Sequence, residues 1–287
     1  MPSPIIDAHH HFWDPNNGDY DWISGDFQPI RRVFAPADLR PSLQHEGVSG
    51  TVLVQTWHSL RESHDFLEIA ANTDFIAGVV AWIDLTDRHV ADRLHELKSG
   101  PNGRWLVGIR HLLHLEADPE WILRDDVRRG LAAVADAGLV YDLVGNTAHL
   151  RAMLQTVADF PQLRFVLDHI AKPDIKAGVR EPWGSLIRSF APYRDHVWCK
   201  LSGMITEADW ENWSAGDLQP YVDEVLQIFT PERLIFGTDW PVCLVAGSYA
   251  DVVDVLRICL DVLSVVEHDK VFGRNAIEAY RLPEFVT

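Results

Sequence analysis

The chain has 287 residues, of which 47% are hydrophobic and 23% are charged, a balance that is typical of folded globular proteins and argues against disorder. Acidic residues outnumber basic ones by 42 to 25, and the formal net charge of −17 disfavours nucleic acid and anionic membranes as partners. No apolar run is long enough to cross a bilayer, and we expect no signal peptide. Because Cys199, Cys243 and Cys259 form no paired pattern, we expect reduced thiols and a cytoplasmic protein.

Eight short runs rich in apolar and β-branched residues predict eight β-strands. They are residues 4–9, 50–55, 75–82, 106–110, 139–144, 164–169, 197–202 and 234–239. Stretches with apolar residues three and four positions apart predict helices between most of these strands. They are residues 64–71, 89–97, 127–137, 149–160, 183–190, 218–229 and 249–263. This alternation implies parallel βαβ units, which form either a closed barrel or an open sheet, and eight repeats favour the (β/α)8 barrel.

Two segments fall outside the strand and helix pattern. Residues 14–32 form a long polar and aromatic loop after the first strand, and long loops in compact domains are often functional. Residues 270–287 are expected to form a terminal helix and a tail. No linker or low-complexity segment interrupts the chain, so we expect one α/β barrel domain over residues 1–287.

Histidines follow the first predicted strand, at the end of the barrel where active sites of this fold lie. Residues two apart on a strand face the same way, so His9 and His11 can both face the barrel mouth while His10 points elsewhere. Two imidazoles on one face suit half of a metal site or a general acid/base pair. The alternative is a histidine-rich loop without a function.

The sixth and eighth strands also end in polar residues. A carboxylate at the end of a buried strand needs a cation, a hydrogen-bond donor or a metal, which makes Asp239 a candidate functional residue. Its alternative role is to cap the turn that follows. His169 is expected to face the barrel mouth, so its neighbour Asp168 is expected to face the helix layer.

Further strand-end side chains are candidate substrate contacts. They are Gln55, Trp57, His58, Trp82, His111 and Lys172. Arg110 could polarise a carbonyl or bind a carboxylate, although an ordinary salt bridge is an alternative. Lys200, inside the seventh strand, is expected to be a supporting or core partner. Trp13, Trp105 and Trp240 could stack against a sugar ring, or they could belong to the core.

Several of these segments together resemble a known family. Residues 7–14, 165–173 and 236–241 resemble the first-, sixth- and eighth-strand signatures of the amidohydrolase superfamily. With residues 108–111 and 199–203, they resemble its amidohydrolase-2 branch, which holds sugar lactonases of the L-fucono- and L-rhamnono-lactonase type. The resemblance extends over nearly the whole chain and implies a distorted (β/α)8 barrel that hydrolyses an ester, lactone or related bond.

The resemblance also implies roles for the strand-end residues. Asp239 is the expected general base, and His9, His11 and His169 are the expected metal or substrate contacts. The fourth strand offers Arg110 where two-metal members have lysine or glutamate, so we expect one divalent cation, Zn²⁺, held by the three histidines and Asp239. Some lactonases that this chain resembles need no metal, so whether the cation is catalytic stays open.

The expected reaction is the opening of a lactone by water that a general base activates, with Asp239, His169 and Arg110 as catalytic residues. Few basic side chains close the strands, which favours a neutral hydroxylated aldono-lactone, such as L-fucono-1,5-lactone, in carbohydrate catabolism. The alternatives are a metal-dependent decarboxylase, a pyrone dicarboxylate lactonase and a catalytically silent sugar-binding barrel. A homo-oligomer is compatible with the sequence.

Overall fold

The computed structural model describes residues 3–18 and 20–283, in which eight parallel strands pair in chain order. The strands are β1 (Ile5–His10), β2 (Val48–Val54), β3 (Ile76–Ala81), β4 (Leu106–Leu112), β5 (Val140–Val144), β6 (Arg164–Leu167), β7 (Val197–Leu201) and β8 (Leu234–Phe236). The ring closes where the His11 amide donates to the Trp240 carbonyl at 2.7 Å and the Asp239 amide donates to the His9 carbonyl at 2.8 Å. The predicted barrel is confirmed.

Helices surround the barrel and separate successive strands. They are α1 (Pro36–Glu46), α2 (Leu60–Ala71), α3 (Val90–Ser99), α4 (Asp125–Asp136), α5 (Leu150–Asp159), α6 (Trp183–Arg188), α7 (Ala215–Phe229), α8 (Tyr249–Cys259), α9 (Val265–Asp269) and α10 (Asn275–Tyr280). In α4, for example, Val127, Leu131 and Val134 bury one stripe, as the three-and-four spacing predicts. In the part of the chain described, none of these helices has both the length and the apolar composition for crossing a membrane.

Helix α1 was not predicted from the sequence. Pro41 lies inside it, and its buried residues are only Leu39 and Leu43, so its apolar stripe is too narrow to recognise. The predicted loop before it contains a short 3₁₀ helix, Gly25–Ile30. The predicted terminal helix corresponds to a π-helix, Lys270–Arg274, followed by α10, whereas residues 284–287 of the predicted tail lie outside the described residues.

Apolar side chains fill the lower half of the barrel interior, and α10 covers its bottom. This cluster contains Ile6, Ala8, Val52, Val54, Val80, Val140, Val166, Trp198 and Ile235 from the strands and Ala276, Ala279 and Tyr280 from α10. A larger apolar cluster lies between the strands and the outer helices. The bottom of the barrel is therefore a packed core, and the mouth is the end of the barrel where active sites of this fold lie.

Strand β1 contains a bulge just before the histidines. Asp7 pairs with Thr51 and His10 pairs with Leu53, so β1 has one residue more than β2 between the two pairings. A bulge changes the direction of the side chains that follow it. As a result, Ala8 and His9 both face the barrel interior, while Asp7 faces α8, where its carboxylate accepts a hydrogen bond from the Tyr249 hydroxyl at 3.0 Å.

Strands β6 and β8 end earlier than predicted. After Leu167 the chain turns, and His169 adopts a left-handed backbone with φ of 54°. After Phe236 the chain continues as loop, and Asp239 has φ of 59°. Strand alternation stops at both points, so the directions of these side chains depend on the turns and not on a period of two.

Gly130 provides a test of the packing between α4 and the backbone of Leu85. A Cβ at this position would lie 2.4 Å from the carbonyl oxygen of Leu85. Alanine has a higher helix propensity than glycine, but here the backbone must shift to make room for the Cβ. We therefore predict that Gly130→Ala lowers the free energy of unfolding, measured by urea denaturation, by about 1–3 kcal/mol. In the matched variant Gly216→Ala, a Cβ meets only Ser214 Oγ at 3.5 Å, so stability should stay the same or rise slightly. Equal stability of both variants would contradict the tight contact.

Candidate active site

Four buried side chains from the ends of β1, β6 and β8 converge at the barrel mouth. His9 Nε2 and His11 Nε2 are 3.2 Å apart, and Asp239 Oδ1 lies 3.2 Å from His11 Nε2 and 3.7 Å from His9 Nε2. The rings of His9 and His169 have centroids 4.4 Å apart. The structure therefore brings together all four residues that the sequence singled out as metal ligands.

The hydrogen bonds of His11 determine which of its nitrogens carries the proton. His11 Nδ1 lies 2.7 Å from the carbonyl oxygen of Val54, which can only accept, so Nδ1 is the donor. The lone pair of a neutral His11 is therefore on Nε2 and faces Asp239 Oδ1 at 3.2 Å. Two electron-rich atoms at this distance need a positive charge between them, which either a proton or a metal ion supplies.

The protonation states of the other members suit a metal ion. Burial lowers the pKa of His9 well below its ordinary value and lowers the pKa of His169 to about 4. Burial acts to raise the pKa of Asp239, but the neighbouring His169 and the hydrogen bond with His11 lower it well below the ordinary range. Neutral imidazoles and an ionised carboxylate are ligands that Zn²⁺ accepts. The chemistry of this donor set thus fits one divalent cation.

Two glycines and a serine shape the centre around His169 and His9. Gly203 has φ of 64°, and a Cβ there would lie 2.6 Å from His169 Nδ1. A Cβ on Gly237 would lie 2.8 Å from the Cβ of His9. Ser202 Oγ lies 2.8 Å from His169 Nδ1, which leaves Nε2 of His169 for the centre. Sequence reasoning missed these roles, although glycine directly after strand residues is the signal that could have indicated them.

Asp168 faces the barrel interior, so the prediction that it faces the helix layer is wrong. Its Oδ2 accepts a hydrogen bond from Arg110 Nη1 at 2.8 Å, and its Oδ1 lies 2.8 Å from Lys200 Nζ and 3.4 Å from His9 Nδ1. Asp168 lies two residues after the inward-facing Val166 and keeps the same direction. His169 is the residue that departs from the alternation, because its left-handed backbone turns it to the mouth as well.

A layer of buried charges therefore lies directly beneath the centre. Lys200 Nζ donates to Asp142 Oδ2 at 2.9 Å and lies 3.1 Å from His9 Nδ1. The Tyr280 hydroxyl of α10 donates to the same Asp142 oxygen at 2.7 Å. Arg110 Nε donates to Gln55 Oε1 at 3.0 Å. Two cations and two carboxylates balance each other here, as burial of charge requires. Asp142 had not been assigned a role from the sequence, although an aspartate inside an apolar strand is itself a signal.

Four predicted substrate contacts, Trp57, His58, Trp82 and His111, form a wall of stacked rings on one side of the mouth. The rings of His58 and His111 stack with centroids 3.9 Å apart, and Trp82 stacks on His58 at 5.7 Å. Trp57 stacks on the same His58 at 6.1 Å. Trp121, which sequence reasoning missed, stacks on His111 at 3.9 Å. No strand ends at Trp121, so the strand pattern carries no signal for it.

The wall contains a second set of possible metal ligands, His58, His111 and Glu116. Trp82 Nε1 donates to His111 Nδ1 at 3.1 Å, so His111 uses Nε2 to donate to Glu116 Oε1 at 2.7 Å. The Leu112 amide donates to His58 Nε2 at 3.0 Å. These nitrogens are satisfied by the protein, and two stacked rings cannot aim lone pairs at one ion. Burial also lowers the pKa of both histidines to about 4, so His58 is neutral and carries its proton on Nδ1.

The remaining predicted residues have more limited roles. Lys172 forms an ion pair with Glu207. Trp13 and Trp240 are both 3% exposed and belong to the packed aromatic core beside the mouth. Trp105 directly precedes β4, so it lies at the opposite end of the barrel from the mouth, and its interpretation as a sugar platform is wrong.

Known proteins resemble this chain over most of its length. Residues 6–282 match the model of a family described as Amidohydrolase. The chain belongs to this family. Two curated relatives are named L-fucono-1,5-lactonase. The one from Burkholderia ambifaria is 36% identical over 281 residues, which cover 96% of this chain and 95% of that protein. The one from Burkholderia multivorans is 35% identical over 290 residues, which cover 97% and 96%.

A solved structure extends the similarity of this amidohydrolase to three dimensions. A crystal structure of an amidohydrolase from Burkholderia multivorans with bound Zn matches with a TM-score of 0.90 and 33% identity, over 98% of this chain and 100% of that chain. The family and the fold that the sequence predicted are both confirmed.

The position of Asp168 can be tested by removing its charge. We predict that Asp168→Asn lowers the free energy of unfolding by about 3–5 kcal/mol, because it leaves Arg110 and Lys200 buried with too little negative charge. The matched control is Asp74→Asn, since Asp74 pairs with Arg40 at 2.7 Å with its side chain 75% exposed, and its loss should change stability little. Denaturant titration measures the free energy of unfolding of both variants. A similar small loss in both would mean that Asp168 is not buried between two cations.

Proposed function

We propose that this amidohydrolase opens a neutral, hydroxylated sugar lactone to the aldonic acid. The observation that carries the proposal is the buried centre of His9, His11, His169 and the ionised Asp239, which lies beside a wall of stacked rings. The relatives named L-fucono-1,5-lactonase support lactone hydrolysis and make L-fucono-1,5-lactone the first substrate to test. A role in carbohydrate catabolism is part of the proposal.

The charges around the mouth favour a neutral substrate over a dicarboxylate. A dicarboxylate is recognised by guanidinium or ammonium groups that point at it. Near the centre, Arg110 is paired with Asp168, Lys200 with Asp142 and Asp168, and Lys172 with Glu207. Each of these three cations thus already has a carboxylate partner. This pairing argues against a pyrone dicarboxylate and against an aromatic acid that would be decarboxylated.

The reaction begins with proton transfer from water to Asp239. Its Oδ1 faces His11 and His9, which leaves Oδ2 to accept the proton while the water oxygen bonds to the lactone carbonyl carbon. The bond between that carbon and the ring oxygen then breaks, and the proton passes from Asp239 to the ring oxygen. The product is a hydroxy acid, which releases one proton to solvent at neutral pH.

We propose that His9, His11, His169 and Asp239 hold one Zn²⁺. The ligand atoms of His9, His169 and Asp239 lie close enough together to share one ion, His11 Nε2 lies 3.2 Å from Asp239 Oδ1, and the Zn-containing Burkholderia multivorans structure supports a metal. Bound Zn²⁺ would polarise the lactone carbonyl and stabilise negative charge on its oxygen. The protein orients these ligands through the Val54 carbonyl at His11 and Ser202 at His169.

We assign Arg110 a positioning role rather than a catalytic one. Its guanidinium donates to Asp168 and to both the side chain and the carbonyl of Gln55, and it is only 3% exposed. The wall contacts the substrate directly. His58 Nδ1 can donate to a hydroxyl group, and the ring faces can lie against the apolar face of the sugar.

A substrate panel tests the proposed activity. We predict that a pH-indicator assay detects acid release from L-fucono-1,5-lactone or a related aldono-lactone well above a no-enzyme control, because lactones also open spontaneously. Chelation should lower the rate by roughly 10-fold or more, and Zn²⁺ should restore it. A preference for a pyrone dicarboxylate, or release of carbon dioxide from an aromatic acid, would overturn the proposal.

The general base can be tested with Asp239→Asn. We predict a fall in kcat by a factor of about 10²–10⁴, since the amide cannot accept the proton from water. Asp261→Asn changes an exposed carboxylate after α8 and should leave kcat unchanged. Metal content should be measured for both variants, so that loss of the base is separated from loss of the cation. Near-normal turnover of Asp239→Asn would remove Asp239 from the mechanism.

A further inference from the structure

Glu62 is a buried carboxylate near the start of α2 that lies outside the centre described above. Its residue is 7% exposed, and its amide donates to the capping Ser59 hydroxyl at 3.2 Å. A glutamate in this position commonly reaches back to the backbone amide of the capping residue itself. Here the carboxylate extends further, because Oε2 accepts from the amides of Thr56 at 2.9 Å and Trp57 at 3.1 Å. Its Oε1 accepts from the Thr56 hydroxyl.

The segment that Glu62 holds carries three of the predicted substrate contacts. Gln55 Oε1 accepts from Arg110 at 3.0 Å, and Gln55 Nε2 donates to the Trp57 carbonyl at 3.1 Å. His58 is the ring that stacks on His111. Residues 55–58 are therefore tied to the charged layer at one end and to α2 through Glu62 in the middle.

Packing alone does not fix this segment, because a cavity of about 890 Å³ lies behind it. The cavity is lined by Trp57, His58 and Glu62, and also by Trp13 and Tyr20 of the long loop after β1. Side chains in a close-packed interior are held by contacts on all sides. Trp57 and His58 both border this cavity, so hydrogen bonds act together with the stacking of His58 on His111 to determine where they stand.

We infer that Glu62 is a positioning residue that holds the Trp57–His58 part of the wall in place for substrate binding. The inference rests on the proposed lactonase function. Without the carboxylate, Trp57 can shift toward the cavity and His58 loses the anchor of the chain segment before it, so the mouth loses its fit to a sugar ring. Asp239, His9, His11 and His169 make no hydrogen bond with Glu62, so the chemical step should be preserved.

The test compares Glu62→Ala with Glu62→Gln in steady-state kinetics on the lactone. Glu62→Ala should raise KM by roughly 10-fold or more and change kcat by less than about 3-fold, since binding and not chemistry is impaired. In Glu62→Gln the amide oxygen can accept from both backbone amides and the amide nitrogen can donate to the Thr56 hydroxyl, so KM should stay within about 3-fold. Thr56→Val, which removes one of three donors, should raise KM by a smaller factor than Glu62→Ala.

The matched control is Glu96→Ala, an exposed glutamate on α3 that does not line this cavity, which should leave KM and kcat unchanged. Hydrogen–deuterium exchange of residues 55–58 supplies a second readout that needs no substrate, and it should increase in Glu62→Ala alone. If wild-type protein hydrolyses no lactone while exchange increases as expected, the proposed function fails and the positioning role stands.

Three outcomes would overturn the inference. One is a Glu62→Ala variant with a lower melting temperature but unchanged KM, which would make Glu62 a stability residue only. Another is a large fall in kcat at unchanged KM, which would place Glu62 in the chemical step. The third is a Glu62→Gln variant as impaired as Glu62→Ala, which would show that accepting these hydrogen bonds is not what the carboxylate does.

Discussion

The ion pairs of Asp168 with Arg110 and Lys200 are the constraint on which the candidate active site depends. A buried charge without a partner is strongly destabilising, so each of these groups requires the others. Asp168 bridges the two cations, and Asp142 shares Lys200 with it. His9 lies against this layer, with Lys200 Nζ 3.1 Å from its Nδ1, and the other members of the centre are arranged around His9. The layer thus separates an apolar lower core from a polar mouth.

Irregular backbone directs the four side chains of the candidate site to one point above this layer. The bulge in β1 brings His9 and His11 to the interior, and left-handed backbone at His169 and Asp239 brings two more side chains to the same point. Residues in such conformations are tolerated where surrounding contacts determine them, and they concentrate at functional sites. Here the surrounding contacts include the Asp239 amide, which donates to the His9 carbonyl, and Gly203, whose missing side chain leaves room for His169.

Regular structure was predictable from the sequence because its signals are local. Strand runs and helical stripes indicated all eight strands and seven of the outer helices, whereas α1 has too few buried residues to produce a stripe. The strand ends indicated His9, His11, His169 and Asp239, which the structure brings together.

The errors and omissions lie where the local signal stops. Asp168 was assigned to the wrong face because the sequence does not say that β6 ends at Leu167. Trp121 approaches the mouth from a 3₁₀ turn, and its contact with His111 depends on how this turn packs on the barrel. Glu62 contacts residues only five and six positions before it, but the strand and helix patterns give no signal for these contacts. Only the three-dimensional arrangement defines such contacts, because the residues involved are distant in sequence or belong to no periodic pattern.

The charge distribution has a consequence for the proposed reaction, because the substrate is neutral and the product is an anion. A neutral lactone can approach the stacked wall without interacting strongly with the ionised Asp239 or with the formal net charge of −17. Once the ring opens, the new carboxylate lies close to Asp239, while Arg110, Lys200 and Lys172 are already paired with carboxylates of the protein. None of these three side chains is therefore free to hold the new carboxylate, so only the proposed Zn²⁺ would retain it, and the net negative charge of the chain favours its departure. The pairing of cations that disfavours acidic substrates would therefore also help to release the acid that the reaction forms.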